Sequence, residues 1–400
     1  MNIVVQKYGG TSVGNINKIK GVARGIIREK NKGKDIVVVV SAMGNTTDKL
    51  INMAREISKT PSLRELDVLL STGEQQTIAL LAMTLKEYGY DAISLTGYQV
   101  GIETTGIHTK NKISDINMDK VKKHLNNGKI VIIAGFQGVN KNGDITTLGR
   151  GGSDTTAVAL ASKLSCLCEI YTDVDGVYKI DPRLYTEAKR INYIDYNQMI
   201  EMADLGAKVL EKRAVILAKK YNVPIYVGLS CKEKKGTYIG GRNMLEENNI
   251  TGLVVSDDIF TISIDNIPNN SKEVSKILRL FKKYTLEINI INKVLSKNNT
   301  LSMTFLCKSD NRILINRIED ELRHRFKGLK INKNCDDVRI SLVGTGINTQ
   351  LDTLDKVFEI FINNKVEFNQ ITNSEVSLSY IIKKEYKFKI VNEFVKTFNL

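Results

Sequence analysis

Ile36-Val37-Val38-Val39-Val40 and Ile130-Val131-Ile132-Ile133 are apolar at every position. A strand with one wet face alternates apolar and polar residues. An unbroken β-branched run instead predicts a strand covered by helices on both faces, at the centre of a mostly parallel sheet. Outward from these runs the chain keeps the rhythm such a sheet requires. A run at 3–6 precedes a helical pattern from Asn15, the 36–40 run precedes one from Thr47, and the 130–133 run is followed by one from Ser153. Further strands are predicted at 169–172 and 224–227, with a helix from Ala207 between them. This alternation predicts an α/β domain over residues 1–240.

The rhythm changes after Gly236-Thr237-Tyr238-Ile239-Gly240-Gly241, and beyond residue 250 the chain repeats itself. Phe260-Thr261-Ile262-Ser263-Ile264 resembles Val338-Arg339-Ile340-Ser341-Leu342, and Leu286-Glu287-Ile288-Asn289 resembles Val366-Glu367-Phe368-Asn369. Val274, Ile277, Leu278 and Phe281 correspond at an offset of 80 to Leu354, Val357, Phe358 and Phe361, each set on one helical stripe. Leu301, Met303 and Phe305 match Val376, Leu378 and Tyr380 with period-two alternation. Each copy reads β-α-β-β-α. Two small α+β domains are expected, at 250–333 and 334–400, with strands open to exchange between them and ligand pockets at a shared interface.

A length of 400 residues fits two or three domains. With 42% hydrophobic and 26% charged residues, the composition is that of a folded globular chain and not a disordered one. The longest apolar run is six residues, Ile78 to Met83, far short of the roughly 20 that a membrane-spanning helix needs. Met1-Asn2-Ile3-Val4-Val5-Gln6-Lys7 lacks the apolar core of a secretory signal, so a cytoplasmic protein with no membrane partner is expected. Cys166, Cys168, Cys231, Cys307 and Cys335 are scattered and odd in number, which favours neither a disulfide frame nor a zinc site. The formal net charge is +14, but residues 1–240 hold 34 basic and 24 acidic side chains and residues 241–400 hold 24 and 20. The excess is spread, and the nearest basic run, Lys232-Glu233-Lys234-Lys235, reads as a solvated turn, so no nucleic-acid partner is expected. His108, His124 and His324 lie in unrelated segments and suggest no triad or metal cluster. Met83, Met199 and Met202 read as core fillers.

Three segments carry chemistry. Lys7-Tyr8-Gly9-Gly10-Thr11-Ser12-Val13-Gly14 joins the first strand to the first helix. Its glycines alone fit an ordinary turn as well as a phosphate cradle, and neither the Walker pattern nor G-x-G-x-x-G is met. Lys7 favours the cradle, because a cation beside helix-terminal amides is what phosphate neutralisation requires. Thr147-Leu148-Gly149-Arg150-Gly151-Gly152-Ser153-Asp154-Thr155 opens a strong helix, and capping accounts for Ser153 and Asp154. Capping does not account for an arginine among three glycines, whose planar fork suits a carboxylate or phosphate. The third segment runs from Glu169-Ile170-Tyr171-Thr172-Asp173-Val174-Asp175-Gly176-Val177-Tyr178 to Asp181-Pro182-Arg183, a strand entering turn chemistry.

Four more segments complete a pattern: Val40-Ser41-Ala42-Met43-Gly44-Asn45-Thr46-Thr47-Asp48, Leu70-Ser71-Thr72-Gly73-Glu74-Gln75, Ala134-Gly135-Phe136-Gln137-Gly138 and Leu205-Gly206-Ala207-Lys208-Val209-Leu210. In this order the segments resemble the amino-acid kinase superfamily over residues 1–240, most closely its aspartate kinases, and the tandem repeat looks like that family's paired ACT domains. The resemblance implies an αβα sandwich with a mostly parallel central sheet, followed by two α+β ACT domains. It also implies a monofunctional enzyme that transfers the ATP γ-phosphoryl to the β-carboxylate of L-aspartate, giving 4-phospho-L-aspartate in the first step of lysine, threonine and methionine biosynthesis. Phosphoryl transfer between two anions asks a protein for positioning and charge neutralisation, so lysines should matter more than bases.

By motif position, the resemblance implies that Lys7 holds the transferring phosphoryl with the amides of Gly9 and Gly10, and that Lys208 holds the nucleotide phosphates. Asp154 is implied to orient these lysines close to Mg²⁺, which is carried mainly by the ATP phosphates. Arg150 is implied to clamp the substrate's α-carboxylate and Glu74 its ammonium. Ser41, Thr47 and Ser153 would supply hydroxyl donors, and Gly151 and Gly152 share their loop. Tyr8, Ser41, Thr172, Asp173, Tyr178, Asp181 and Arg183 match nucleotide-binding positions, with Asp173 and Tyr178 for adenine and ribose. A carboxylate at a helix start is the commonplace alternative for Glu74.

The ACT repeats imply feedback inhibition by lysine or threonine and a homo-oligomer formed through them. The chain departs from the family pattern at Glu211-Lys212, where His-Pro is usual, and at Pro268-Asn269-Asn270-Ser271, where Pro-Gly is usual, which bears on effector binding by the first repeat. The second repeat keeps Gly344-Thr345-Gly346-Ile347-Asn348. The competing functions are another amino-acid or carboxylate kinase of the same fold and a catalytically dead amino-acid sensor. Ser71-Thr72-Gly73-Glu74 with the paired repeats argues against the first, and intact Lys7, Asp154 and Lys208 argue against the second. No dinucleotide fingerprint follows the repeats, so no fused homoserine dehydrogenase is expected. Met244 is a candidate internal start for a separate regulatory subunit.

Overall fold

A computed structural model describes residues 2–230, 235–241, 250–284, 286, 288–295, 299–308, 312–326, 328–347 and 350–400. Met244, Cys231, Asn348 and most of the Lys232-Glu233-Lys234-Lys235 run lie outside the described residues. The chain divides into two compact units, Met1–Pro182 with Glu187–Glu247, and Arg183–Thr186 with Asn248–Leu400.

The first unit runs β1 (Ile3–Tyr8), α1 (Ile16–Asn31), β2 (Asp35–Val40), α2 (Thr46–Ile57), α3 (Leu63–Glu87), β3 (Ala92–Leu95) and α4 (Gly97–Val100). It continues through β4 (Ile102–Thr105), β5 (Lys112–Ile116), α5 (Asp119–Asn126), β6 (Ile130–Ala134), β7 (Gln137–Val139), β8 (Ile145–Thr147) and α6 (Gly152–Leu164). It closes with β9 (Leu167–Thr172), β10 (Tyr193–Asp195), α7 (Tyr196–Leu205), α8 (Lys212–Tyr221), β11 (Ile225–Leu229) and β12 (Thr237–Gly240). Eight strands form one sheet in the order β10-β12-β11-β9-β1-β2-β6-β3, parallel except where β12 runs against β11. The two unbroken apolar runs are β2 and β6, neighbours near the middle, and Ile36 to Val40 are wholly buried. Burying both faces is what their composition requires. The strand β1 pairs with β2 on one side and β9 on the other. The chain therefore leaves β1 in two opposite directions across the sheet, and a crevice opens beyond the carboxyl ends of these strands, where open α/β sheets bind ligands.

Four features differ from the sequence reading. A small second sheet, β5-β4-β7-β8, projects from the first unit. Its strands are three to five residues long, too short to show a period. The helix expected from Ala207 begins at Lys212, because Gly206 at φ 121° ends α7 and Glu211 in extended backbone caps α8. Lys208 thus lies in the turn between helices, not on one. Met83 is 65% exposed, on the outer face of α3 opposite the buried Leu81 and Leu85, and fills no core. Met199 and Met202 are buried.

The second unit contains β13 (Ile250–Ser256), β14 (Phe260–Pro268), α9 (Ser271–Lys283), β15 (Ile288–Leu295), β16 (Thr300–Cys307), α10 (Arg312–Arg325) and β17 (Lys330–Asn334). These are followed by β18 (Asp337–Gly344), α11 (Leu351–Asn364), β19 (Gln370–Asn373), β20 (Ser377–Lys383) and α12 (Lys387–Phe398). Two antiparallel sheets result, β15-β16-β14-β17 and β13-β18-β20-β19. The β-α-β-β-α repeat appears in each, and β13, which precedes the first copy in the chain, pairs with β18 of the second. Ile277, Phe281, Val357 and Phe361 are buried as the stripe requires, while Leu278 and Phe358 turn partly outward. No helix of the described residues is long and apolar enough to cross a membrane.

Ile132 is wholly buried in β6, so Ile132→Ala should cost about 2–5 kcal/mol of stability. Met83→Ala should shift stability by no more than about 0.5 kcal/mol. Urea midpoints at unchanged slope are the measurement.

Candidate functional site

The crevice is assembled from four elements. β1 delivers Lys7, whose ammonium lies 2.6 Å from Asp154 Oδ1 in the first turn of α6. Both side chains are only about a tenth exposed, so removing either partner would leave the other charge buried and unpaired. β2 delivers the turn containing Ser41, Ala42 and Gly44. The third element is α3, which approaches that turn closely because residue 73 is glycine: a Cβ there would stand 2.8 Å from Ala42 Cβ. The close approach lets Glu74 Oε1 accept a hydrogen bond from Ala42 N at 3.0 Å. Glu74 Oε2 is buried and has no hydrogen-bond partner among the described residues. Burial pushes the Glu74 carboxyl up to about 7, opposed by the Ala42 amide. The fourth element is the turn from β8 into α6, in which Gly151 adopts φ 67° while Glu211 occupies the space a Cβ would take. Only glycine fits that position.

A cavity of about 280 Å³ opens among Lys7, Gly10, Ser41, Ala42, Gly44, Thr47, Glu74, Phe136, Gly149, Arg150, Gly151, Gly152, Ser153 and Asp154. It brings together every residue that the sequence suggested around the amino acid, along with Lys7, Gly10 and Asp154. Ala42, Gly44, Phe136 and Gly149 also line it; all four lie within the motif segments, and that membership was the only signal. Arg150 is exposed, and no described residue engages its guanidinium. Glu74 sits well inside α3, so a helix-start role does not apply. The cavity therefore offers one paired lysine, an uncommitted guanidinium, an under-satisfied carboxylate and hydroxyls from Ser41, Thr47 and Ser153. That inventory suits a small zwitterion with more negative than positive charge.

The remaining candidates lie outside this cavity. The Tyr8 side chain is buried, stacks on Tyr171 at 5.0 Å and donates to Gln6 Oε1, so it faces the core. Gly9 spends its amide on Tyr171 O at 3.2 Å, which leaves Gly10 as the glycine of that pair lining the cavity. Lys208 is exposed and pairs with no described residue. Thr172 and Asp173 start a turn in which Thr172 Oγ1 donates to Asp173 Oδ1 and accepts from Val174 N. Tyr178 donates to Asp175 Oδ1 at 2.7 Å, and Arg190 also reaches Asp175, making Asp175 the centre of this loop. Asp175 lay within the quoted segment but carried no separate signal. Asp181 closes the first unit's long segment with Pro182, and Arg183 opens the short stretch that groups with the second unit. Among the described residues no three His, Cys, Asp or Glu side chains cluster as a metal site.

Residues 2–228 match the amino acid kinase family. The chain is 40% identical over 402 residues to the aspartokinase of Bacillus sp. strain MGA3, across 100% of this chain and 98% of that one. It is 41% identical over 404 residues to the Geobacillus stearothermophilus aspartokinase, with the same coverage. Its fold is similar to that of E. coli aspartokinase III in complex with aspartate and ADP, with a TM-score of 0.82 at 22% identity over 100% of both chains.

Because Glu74 holds its proton more tightly when folded, its contribution to stability is fully present below the ordinary carboxyl value of 4.5 and is lost as pH rises toward about 7. The unliganded protein should lose stability over that interval relative to Glu74→Gln and run parallel to it above. Urea unfolding of both proteins from pH 4.5 to 8 checks the sign.

Proposed function

The chain belongs to the amino acid kinase family and, within it, to the aspartokinases, and from that premise we propose how its residues carry out ATP-dependent phosphorylation of the aspartate β-carboxylate. The observation that carries the reading is the convergence in one cavity of Lys7, Asp154, Glu74 and Arg150. Aspartate lies with its α-carboxylate on Arg150, where two parallel hydrogen bonds fix direction as well as charge. Its ammonium takes the open Oε2 of Glu74, which returns that carboxyl to the ionised state. Ser41, Thr47 and Ser153 complete the polar contacts. The β-carboxylate then points toward Lys7.

Lys7 neutralises the phosphoryl group as it moves between two oxygens, and Asp154 keeps the ammonium aimed. No general base is required, since the acceptor carboxylate is already ionised at neutral pH. Lys208, which pairs with no described residue, reaches the nucleotide phosphates. Thr172, Asp173, Tyr178 and Asp181 form the nucleotide loop, with Asp173 and Tyr178 at adenine and ribose. Arg183 is assigned to the same function by its motif, while Tyr8, with its ring in the core and its carbonyl taken by Ser41 N, is not assigned a nucleotide contact. Asp154 is the one site carboxylate beside Lys7, a donor set that fits Mg²⁺ carried mainly on ATP phosphates. The ion supplies further neutralisation of phosphate charge.

We assign residues 1–240 to the kinase domain and the two repeats, 250–333 and 334–400, to ACT domains that pair copies of the chain and take lysine or threonine as inhibitor. Gly346 at φ 66° in the second repeat supports a backbone-lined effector turn there. E. coli aspartokinase III is also known in complex with lysine and aspartate, in a T state. A cytoplasmic location follows from this biosynthetic role.

Lys7→Ala should abolish turnover in a protein that still folds, with a lowered thermal melt because Asp154 is left buried and unpaired. Arg150→Ala should raise the aspartate requirement by about ten- to a hundredfold, the loss of a charged hydrogen-bonding partner, with the ATP requirement nearly unchanged. Coupled ADP release with aspartate, with glutamate and without acceptor measures both; a response independent of aspartate refutes the reading.

A further inference from the structure

The loop that carries Arg150 is rich in glycine, with Gly149 and Gly151 both at positive φ, and of its side chains Leu148 is buried while Arg150 is exposed. Contacts from outside the loop also hold it. Arg213, partly buried in the first turn of α8, donates through Nη1 to Leu148 O and through Nη2 to Asn111 O, both at 2.8 Å. Asn111 in turn donates its amide to Thr147 O at 3.0 Å, which laces the 107–111 segment to the arginine loop. On the other side Asp67, wholly buried in α3, accepts from Thr147 Oγ1, from Thr109 N and from His108 Nδ1. Asp67 and Glu74 share α3, two helical turns apart. The helix that presents Glu74 thus also fixes one edge of the loop that presents Arg150.

We propose that Arg213 is a positioning residue for the substrate-clamping loop, acting with Asp67 as the opposite anchor so that Arg150 is held at a fixed distance from Glu74. This rests on the assignment of Arg150 to the aspartate α-carboxylate. Arg213 suits the task because a planar fork reaches two carbonyls at once, whereas a lysine reaches one. Its own helix is fixed independently, since Ala214, Val215 and Ala218 are wholly buried. Removing the guanidinium therefore frees the loop without moving α8 or the Lys208 turn before it. The expected consequence is confined to the acidic substrate.

Purified full-length Arg213→Met, Arg213→Lys and Asp67→Asn should be compared with the parent by steady-state ADP release and by hydrogen exchange of a peptide spanning 145–155. Arg213→Met should raise KM for aspartate by about tenfold or more, the scale of losing one charge-assisted hydrogen bond, with KM for ATP within about twofold. Arg213→Lys should fall between, Asp67→Asn should move aspartate KM in the same direction, and methylguanidinium should partly restore Arg213→Ala. Amide exchange in the 145–155 peptide should quicken without substrate. If folded Arg213→Met and Asp67→Asn keep the parental aspartate KM, or if both KM values rise equally, the positioning role is wrong. If the parent shows no aspartate-dependent turnover, the assignment of Arg150 fails instead, and the substrate-free exchange result judges the tether by itself.

Discussion

The Lys7 ammonium, buried to about nine-tenths, is paired with Asp154 at 2.6 Å, and either charge alone would be costly to bury. That pair constrains the rest of the first unit. Lys7 must lie at the carboxyl end of β1, and Asp154 in the first turn of a helix that returns over the sheet to meet it. The adjacent helix terminus favours the carboxylate, so Asp154 can serve Lys7 and still tolerate burial. When an anion enters, the ammonium is already desolvated and oriented, and little reorganisation remains for the moment of transfer.

Glu74 is held on different terms. One of its oxygens is satisfied by the Ala42 amide and the other is left open in the cavity wall. An open buried oxygen weakens the unliganded fold, and burial has raised the carboxyl toward neutrality. On the proposed assignment, stability is given up at the position where the ligand's ammonium arrives, and binding restores it. The arrangement discriminates as well. An anion without an ammonium would leave Glu74 unpaired beside added negative charge, whereas an amino acid satisfies Oε2 and Arg150 together.

The central sheet was legible because Ile36-Val37-Val38-Val39-Val40 and Ile130-Val131-Ile132-Ile133 can be buried only on both faces. Lys7 and Arg150 stood out by residue type within glycine-rich strand-to-helix turns, whereas Glu74, Ser41, Thr47 and Ser153 were named through the family resemblance alone, since a carboxylate or hydroxyl in a helix or turn carries no signal of its own. Other features had no such signal. The short strands β4, β5, β7 and β8 never complete an alternation, and contacts such as Thr104 of β4 with Thr146 of β8, made across the intervening β7, leave no local pattern. Tyr8 sits inside a phosphate-loop motif, yet strand alternation turns its ring into the core beside Tyr171. Arg213 looks like any helix arginine, because its partners are the carbonyls of Leu148 and Asn111 and a carbonyl leaves no mark in the sequence. The open oxygen of Glu74 depends on how near Gly73 lets α3 approach Ala42, a distance no local pattern encodes.

Net charge and site charge act at different ranges. A formal charge of +14 favours the approach of anionic reactants, but beyond roughly 8–10 Å it is screened at physiological salt. It is also spread over the chain and cannot tell aspartate from any other small anion. Selection has to occur inside the cavity, where Lys7 is already neutralised by Asp154 and the guanidinium of Arg150 remains uncommitted. On the proposed assignment, one cation is reserved for charge that appears only during transfer, and another for charge the substrate carries throughout. A site with two uncommitted cations would bind any dianion. Pairing one of them in advance leaves recognition to Arg150 and Glu74, whose separation then decides which molecule fits.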